Sequence, residues 1–423
     1  MPDFSLWDWE TGEKQIPFED WKDDFEWVEE PCVSPDGEKI AAVVKVGEEA
    51  FTMAVNGRRW ESEFEKIWLP RFSPDGRLTC LAADMGEWTM AVDGAAWDRA
   101  FGYVWSPLFS RDGSKIAVAA QDEMKYGMAV DGVLWETVFP YMTRMTVSPD
   151  GGKTAASVQV ESPGEGEIFK FQEGTFTAAV NGKAWDSRFL NIWDLSFSPD
   201  GKSLAAEARL TLYDYTIVVD GAPWKKRYDC VWRPVFHTGN GSVLAPVKSE
   251  GKWGLAADDE MIWKNRYIQL WSQSACPNGE KVAAAVCPKF GKWTIAVDDA
   301  PWKCLVDEYV DAPVFSPDGR HIAARGKHKG KWTIIKDGVL WKNAFDMIWD
   351  PVFSPDGQHV AAKAEINGKW AFAINGALWE RRCDAAWDPV FSPDGKKILL
   401  RRVEDGIYKR TVLGLDGMAR VLK

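Results

Sequence analysis

The sequence predicts an all-β protein, a β-propeller of about ten four-stranded blades. Three observations lead to this fold class. One motif recurs every 37–40 residues, with one longer interval, most copies carry two glycine-containing turns, and the segments between turns are short and apolar. The period is close to the roughly 40–45 residues of a four-stranded blade. No stretch shows the sustained 3.6-residue periodicity of an amphipathic helix.

The first turn of each repeat sets its register. Most copies read Ser-Pro-Asp-Gly, in which proline fixes φ at the second position and glycine supplies a positive φ at the last. Successive turn glycines lie 37–40 residues apart, with one gap of 50. These glycines are Gly37, Gly76, Gly113, Gly151, Gly201, Gly241, Gly279, Gly319, Gly357 and Gly395.

The second turn is Asn-Gly or Asp-Gly in most copies, a strong hairpin signal because a type I′ turn needs positive φ twice. Two copies carry Asp258-Asp259 and Asp298-Asp299 instead, which should strain or lengthen the turn. Two hairpins per repeat give an antiparallel meander, whose strands we name A to D in chain order. The glycine-ended turn joins A to B, and the second turn joins C to D. Such a unit cannot bury both faces alone, so copies must stack.

The termini predict how the repeats close. Residues 1–30 read as strands C and D of a blade without A and B, with strand C over residues 4–10 and strand D starting at residues 21–25. Residues 31–423 then form ten repeats, with an insertion at 161–174. The last repeat has no tryptophan in its strand D, so we expect the N-terminal half-blade to close the ring.

Two layouts of the blades are open. A single ten-bladed ring exceeds the usual four to eight blades. It is nevertheless favoured, because no linker rich in Pro, Gly or Ser interrupts the repeats. The alternative is two five-bladed propellers.

Tryptophan is the signature residue, with 25 copies. Strand D is expected to carry the pattern Trp-x3-Phe/Tyr-x3-Trp, which would place three rings on one face of an extended strand. Large rings there suit wedges between neighbouring blades. The predicted wedge residues are Trp60, Trp68, Trp97, Trp105, Trp185, Trp193, Trp224, Trp232, Trp263, Trp271, Trp341, Trp349, Trp379 and Trp387.

Functional interpretations of the tryptophans are a cage for sugars or methylammonium groups, a quinone cofactor site, and an electron relay. Each of these needs one exceptional copy, whereas the stripe recurs in almost every repeat. The regularity therefore favours a structural wedge.

The insertion is the largest break in the repeat. It begins as an acidic, glycine-rich loop and then offers Ile168, Phe169 and Phe171. One interpretation is an extended hairpin tip. The other is a partner-binding element, since loops on rigid scaffolds often carry binding residues.

Composition narrows the function classes. A net charge of −12 argues against nucleic acid, which requires a basic surface. No signal peptide and no run of ~20 apolar residues is found, so we expect a cytoplasmic protein without direct membrane insertion. Seven scattered cysteines indicate reduced thiols rather than disulfides or a metal site. Common catalytic motifs are missing, so we expect no enzyme activity, cofactor or metal.

The Ser-Pro-Asp-Gly turn followed by Ile-Ala-Ala resembles the TolB-like and WD-repeat propeller motif over almost the whole chain. More narrowly, the Asp-Gly-x-x-Trp and Gly-Lys-Trp repeats resemble the tryptophan-rich cytoplasmic subunit of the Tmc transmembrane redox complex of sulfate-reducing bacteria. That resemblance implies protein partners: an iron–sulfur subunit, a cytochrome b-type membrane subunit and a multihaem cytochrome c. It also implies a peripheral location on the inner membrane.

The predicted function is a non-catalytic scaffold, a docking subunit on the cytoplasmic side of a membrane-bound electron-transfer complex. Two alternatives come from other classes. One is a propeller enzyme, either a quinone-dependent dehydrogenase or a hydrolase-associated propeller. The other is a soluble propeller that binds a small ligand.

Overall fold

A computed structural model describes residues 4–162 and 172–416. Within these residues the chain forms ten antiparallel sheets, which we number blades 1 to 10 in the order of their A strands. The prediction of an all-β protein with about ten four-stranded blades is confirmed. The chain forms two compact units, and the boundary between them falls after Pro234. The first unit starts at Asp20 and holds blades 1 to 5; the second contains residues 4–19 and everything after Pro234.

Strand A is continuous in seven blades and divided into two short pieces in three. The continuous strands are Trp27–Val33, Lys66–Phe72, Tyr103–Phe109, Tyr141–Val147, Asn191–Phe197, Gln269–Ala275 and Ala385–Phe391. The short pieces are Cys230–Val231 and Val235–Phe236, Tyr309–Val310 and Val314–Phe315, and Met347–Ile348 and Val352–Phe353. In blade 2 the register shifts between Trp68 and Arg71, and Leu69 has φ 50°, which marks a β-bulge.

Strands B and C form the central hairpin of each blade, and their middles are buried on both faces. Strand B spans Ile40–Gly47, Leu78–Asp84, Ile116–Asp122, Thr154–Gln159, Leu204–Arg209, Val243–Ser249, Val282–Lys289, Ile322–His328, Val360–Ile366 and Lys397–Glu404. Strand C spans Ala50–Val55, Glu87–Val92, Lys125–Val130, Phe176–Val180, Tyr215–Val219, Lys252–Ala257, Lys292–Val297, Lys331–Lys336, Lys369–Ile374 and Ile407–Gly414.

Strand D is only two residues long in blades 1 to 9. It spans Arg58–Arg59, Ala95–Ala96, Val133–Leu134, Lys183–Ala184, Ala222–Pro223, Glu260–Met261, Ala300–Pro301, Val339–Leu340 and Ala377–Leu378. In blade 10 the fourth strand is Gly12–Pro17, which pairs antiparallel with Ile407–Gly414.

The prediction that three aromatic residues share one strand D is wrong. In blade 1, Trp60 directly follows the two-residue strand, and Phe64 makes an isolated bridge to Phe51 of strand C. Trp68 already belongs to strand A of blade 2. The chain leaves the sheet after the first tryptophan because the second aromatic residue pairs back onto its own blade while the third enters the next one.

Both turns close as predicted, through side-chain hydrogen bonds. In the first turn of blade 4, the Ser148 hydroxyl donates to the Asp150 carboxylate at 2.6 Å, and this bond lowers the pKa of Asp150. In the second turn of blade 1, the Asn56 side-chain oxygen accepts the Ile40 N–H at 2.9 Å. The second turn therefore also fixes the start of strand B, which ties the two hairpins of a blade together.

The Asp-Asp turns keep two residues and are not lengthened. Asp258 and Asp259 have φ values of 43° and 76°, and Asp298 and Asp299 have 46° and 68°. These are the left-handed values that glycine occupies without steric cost, so the turn is strained rather than lengthened. The strain is partly offset at Asp299, whose carboxylate accepts the Lys264 N–H at 2.7 Å.

The N-terminal segment differs from the expected half-blade. Phe4–Leu6 is a 3-10 helix and Trp21–Asp24 is a short α-helix, so the prediction of strands at residues 4–10 and 21–25 is wrong. Trp9 Nε1 donates to the Phe4 carbonyl at 2.8 Å, which folds that stretch on itself. The strand lies between the two helices, at Gly12–Pro17.

A buried ion-pair network fixes the N-terminal strand in blade 10. Arg402 is fully buried, and its guanidinium lies 2.8 Å from the Glu13 carboxylate and 3.2 Å from that of Glu404. Thr411 Oγ1 also donates to Glu13, at 2.9 Å. Burial opposes ionisation of Glu13, but the hydrogen bonds, that from Arg402 foremost, outweigh it and lower its pKa to about 2. The strand is therefore held by charge as well as by backbone pairing.

Candidate functional site

The predicted wedge tryptophans form two sets with different surroundings. Set D contains the tryptophans that follow strand D, namely Trp60, Trp97, Trp185, Trp224, Trp263, Trp341 and Trp379. Set A contains those at the third position of strand A, namely Trp68, Trp105, Trp193, Trp232, Trp271, Trp349 and Trp387. The sequence spacing predicts a single stripe that contains both sets, whereas the structure places the two sets in different surroundings.

Four set D rings cover the glycine of the C–D turn in the following blade, namely Trp60, Trp97, Trp185 and Trp341. A Cβ atom placed on Gly94 would lie 3.3 Å from the Trp60 ring, and one on Gly376 would lie 3.2 Å from the Trp341 ring. A side chain at these positions would press against the ring, and glycine avoids this contact. The remaining set D rings range from half-buried to buried; Trp263 and Trp379 are each 4 % exposed.

Three further tryptophans make the same contact and were missed by the sequence analysis. Trp21 lies over Gly57, Trp135 over Gly182, and Trp302 over Gly338. Each of them is followed four residues later by Phe25, Phe139 or Val306, but the third tryptophan of the pattern is absent. The Trp-x3-Phe half of the motif was therefore the sufficient signal.

In blades 2, 3, 7, 9 and 10, the set A ring contacts the second residue of strand C of its own blade. The ring centroids of Trp68 and Trp88 are 4.4 Å apart, those of Trp271 and Trp293 are 4.4 Å apart, and those of Trp349 and Trp370 are 4.5 Å apart. Trp68 and Trp232 are 44 % and 39 % exposed, and the other set A rings are half-buried. These rings are thus surface groups in part, unlike the buried members of set D.

The residue of strand B opposite set A varies in chemistry from blade to blade. In blades 9 and 10 it is a cation, Lys363 or Arg401. The Lys363 ammonium lies 4.9 Å from the Trp349 ring centroid and 5.0 Å from that of Trp370. It also pairs with Asp388 at 3.3 Å. The two ring faces of blade 9 therefore hold a cation that the chain itself supplies.

Blade 5 has a carboxylate at the equivalent position. Glu207 pairs with Trp193 across strands A and B and is 6 % exposed. Burial, together with the nearby Asp194 carboxylate, raises the pKa of Glu207 to about 8, and the Arg144 guanidinium opposes this shift. Burial is the largest cause of the raised pKa, because a dry site does not stabilise an anion.

A continuous series of aromatic rings crosses blades 2 to 4 of the first unit. Neighbouring ring centroids in it are 4.4–6.5 Å apart. We call this series the aromatic row; it consists of Trp68, Trp88, Tyr103, Trp105, Tyr126, Tyr141 and Phe176. Trp68, Tyr103 and Tyr141 are 44 %, 37 % and 46 % exposed, and Leu69 beside them is 45 % exposed. Such a group of exposed aromatic side chains is the composition of a protein-binding surface.

The predicted partner-binding residues Ile168, Phe169 and Phe171 lie outside the described residues. Glu161, the first residue of the insertion, pairs with Arg188 at 2.5 Å.

Other candidate chemistry is sparse in the described part of the chain. Residues 4–162 and 172–416 contain no group of three or more His, Cys, Asp or Glu side chains placed to hold a metal ion. Over the same residues, no helix is long and apolar enough to cross a membrane. Burial raises the pKa of the Cys32 thiol to about 12, with the Glu30 carboxylate adding to the shift, so this thiol is a poor nucleophile.

Three solved structures are similar to this chain. A eukaryotic initiation factor has a TM-score of 0.47 at 12 % identity, covering 77 % of this chain and 91 % of that one. The β-propeller domain of Cps50 (Swd1) from Myceliophteria thermophila has a TM-score of 0.33 at 14 % identity, with coverages of 64 % and 95 %. A putative TolB from Agrobacterium tumefaciens has a TM-score of 0.27 at 16 % identity, with coverages of 48 % and 81 %.

Neither protein-family models nor curated proteins match this sequence. The assignment of the blade architecture therefore rests on the ten sheets of the structure. This architecture is consistent with a scaffold or protein-interaction role.

Proposed function

We propose that this protein is a non-catalytic scaffold that docks on a protein partner through the aromatic row. The observation that supports the proposal is the exposure of Trp68, Tyr103 and Tyr141 on adjacent blades within one connected set of rings. Tyrosine and tryptophan are enriched at interfaces, because they offer a large apolar area with a polar group at the edge.

The rings of the row are also held in place before binding. The Trp68 and Trp88 rings are in tilted contact with centroids 4.4 Å apart, and Tyr103 stacks on Trp105 at 5.9 Å with 19° between the ring planes. A side chain fixed by its neighbours loses little conformational entropy when a partner covers it. The row is therefore better suited to docking than a scattered set of exposed aromatic residues.

The proposed partners are subunits of a membrane-bound electron-transfer complex, with this protein on the cytoplasmic side. The support for this finer step is the sequence resemblance to the tryptophan-rich redox-complex subunit. An iron–sulfur subunit is the first candidate, followed by a cytochrome b-type membrane subunit and a multihaem cytochrome c. Attachment to the membrane would then run through these partners.

Affinity capture from detergent-solubilised membranes tests the role of the row. The triple variant Trp68→Ser, Tyr103→Ser and Tyr141→Ser is expected to lose its partner and keep its melting temperature within a few degrees. The matched control is Tyr213→Ser with Phe290→Ser, since these rings are 81 % and 90 % exposed but lie outside the row. Equal capture by the triple variant and the wild type would reject the row as the interface.

The insertion gives a second, independent variant. Phe169→Ser with Phe171→Ser releases the partner if the insertion, rather than the row, is the contact. Mass spectrometry of the captured proteins identifies the partner class, and a capture without any redox subunit would reject the electron-transfer complex. A visible absorbance band in the purified protein would reject the cofactor-free scaffold and favour a propeller enzyme.

A further inference from the structure

Blade 1 departs from the other blades at the two strand A positions that shape its surface. The third position, which holds a set A tryptophan in seven blades, is Glu29 in blade 1. The first position is Trp27, whereas every other blade has a different residue type there. Blades 4 and 8 also lack the third-position tryptophan, with Thr143 and Asp311 there, so the tryptophan at the first position is what makes blade 1 the exceptional copy that a tryptophan-based binding site requires.

These two changes leave a cavity between blades 1 and 2. Its volume is about 180 Å³, and its aromatic walls are Trp27, Phe51 and Trp68. Trp27 and Phe51 meet edge to face, with ring centroids 5.7 Å apart and 76° between the ring planes. In blades 2, 7 and 9, by contrast, the corresponding space beside the strand C ring is filled by the set A ring, at 4.4–4.5 Å.

The charges around the cavity favour a cation. Glu30, Glu65 and Lys66 also line it, which gives two carboxylates against one ammonium group. An adjoining cavity shares Phe51, Glu65 and Lys66 and adds Glu48, Glu49 and Lys45. Lys45 is already paired with Glu26, at 2.9 Å. The aromatic residues of the cavity are thus surrounded by a locally acidic surface.

In blade 9, the equivalent strand A and strand C rings bind a cation that belongs to the protein itself. There, Lys363 of strand B places its ammonium group within 5.0 Å of both the strand A ring and the strand C ring. In blade 1 the equivalent strand B residue is Val43, which is 2 % exposed and brings no charge. The aromatic faces of blade 1 are consequently left without a cation from strand B.

We propose that this cavity binds a small quaternary ammonium compound through its trimethylammonium group, as in choline. Two tryptophans and a phenylalanine supply the ring faces that attract such a cation, and the glutamates supply long-range attraction. The volume is below the ~300 Å³ of typical small-molecule sites, which suits a single headgroup rather than a larger ligand. The site is separate from the docking role proposed above, although Trp68 contributes to both.

Isothermal titration of the full-length protein tests this with two probes of the same shape. Choline carries a trimethylammonium group, and 3,3-dimethylbutanol carries a neutral tert-butyl group in its place. Choline is expected to bind about 5- to 30-fold more tightly than the neutral analogue, since only the charge distinguishes them. Equal affinity for both, or no heat with either at millimolar concentrations, would overturn the proposal.

Substitutions then test whether the choline site lies in blade 1. Trp27→Ala is expected to abolish choline binding, and Glu30→Gln with Glu65→Gln is expected to weaken it several-fold without changing the fold. Tyr309→Ala is the matched control, because Tyr309 occupies the first position of strand A in blade 8. Loss of binding in the control as well as in Trp27→Ala, or in neither, would overturn the assignment to blade 1.

Glycine betaine and an N-acetylated trimethyllysine amide separate the possible sources of the headgroup. Betaine carries a carboxylate that Glu30 and Glu65 repel, so it is expected to bind more weakly than choline. Tighter binding of the trimethyllysine amide than of choline would overturn the assignment to a small free ligand and direct attention to methylated side chains.

Discussion

The set D and set A tryptophans are the same residue type at regular spacing, yet they act differently. Set D rings such as Trp341 lie between blades, against the turn glycine of the next blade, which is Gly376 in this case. Set A rings such as Trp349 lie within a blade, against a strand C ring and beside a strand B residue that changes from blade to blade. Set D therefore determines how blades stack, whereas set A is free to vary with local chemistry.

The comparison also shows where variation is tolerated. The glycine under a set D ring needs a positive φ and close approach, so two constraints coincide at one position. The strand B position beside set A instead accepts Leu81, Glu207 or Lys363. We therefore expect functional differences between repeats at the strand B positions beside set A. The free energy of unfolding is expected to depend mainly on set D.

The largest effect is expected from Trp341→Ala. Removing this ring should lower the free energy of unfolding by ~3–5 kcal/mol, as for a large aromatic residue in a packed core. Trp349→Ala in set A is the matched variant, and its cost should be clearly smaller. Urea unfolding measures both, and a loss below ~1 kcal/mol for Trp341→Ala would erase the distinction between the sets.

A pH-dependent effect is expected from Glu207→Gln. The folded pKa of about 8 lies above the ordinary 4.5, so the stability linked to the neutral acid is full below pH 4.5 and is lost as pH rises through 8. The variant should match the wild type near pH 4.5 and be more stable at pH 9 by up to ~4 kcal/mol. Melting curves across this range test it.

The opposite change in stability is expected at the equivalent position of blade 9, Lys363. Lys363→Gln is expected to destabilise the protein, because it removes the ion pair with Asp388 and the cation between two ring faces. If Glu207→Gln stabilises the protein and Lys363→Gln destabilises it, the site beside the ring faces selects the sign of the charge. A change in stability of the same sign for both variants would contradict this.

A smaller effect is expected from Gly376→Ala, at ~2–3 kcal/mol. Its φ is +82°, and a Cβ atom would lie 3.2 Å from the Trp341 ring. Gly368→Ala is the control, because its φ is +73° and a Cβ atom there meets nothing within 4 Å. The control should cost only the ~1 kcal/mol of an unfavourable backbone conformation. Equal losses in the two variants would mean that the ring contact contributes nothing.

The smallest effect is expected from Trp68→Ala. This ring is 44 % exposed, so its removal should cost less than ~1 kcal/mol. Partner capture, in contrast, should fall. A loss of stability as large as that of Trp341→Ala would place Trp68 in the packing role of set D.

The sequence predicted the blades well, because turn chemistry is local. Ser-Pro-Asp-Gly and Asn-Gly specify backbone angles without help from distant residues, so the positions of Gly76 and Gly94 gave the register of blade 2 directly. The tryptophan arrangement was harder to predict. A four-residue spacing fits one extended strand as well as it fits a chain that crosses to the next blade, and only the paired backbone distinguishes them.

The candidate surfaces depended on contacts that sequence does not encode locally. The middle of strand B is buried on both faces, so no alternation marked Glu207 or Lys363 as neighbours of a ring. The exceptional blade was visible in principle, since Glu29 stands where seven repeats have tryptophan. Recognising it required the alignment of strand A across repeats, which the bulge at positions such as Leu69 obscures.

The pairing of Gly12–Pro17 with Ile407–Gly414 has a consequence for synthesis on the ribosome. Gly12 faces Val412, and at ~5–20 residues per second the intervening chain takes roughly 20–80 s to translate. The strand Gly12–Pro17 must therefore wait, without this partner, until Ile407–Gly414 has emerged. An unpaired strand is a template for wrong partners, and Glu13, Lys14 and Pro17 are the residue types that discourage such pairing. Blade 10 can accordingly be completed only long after its fourth strand has been made, and the composition of that strand suits the delay.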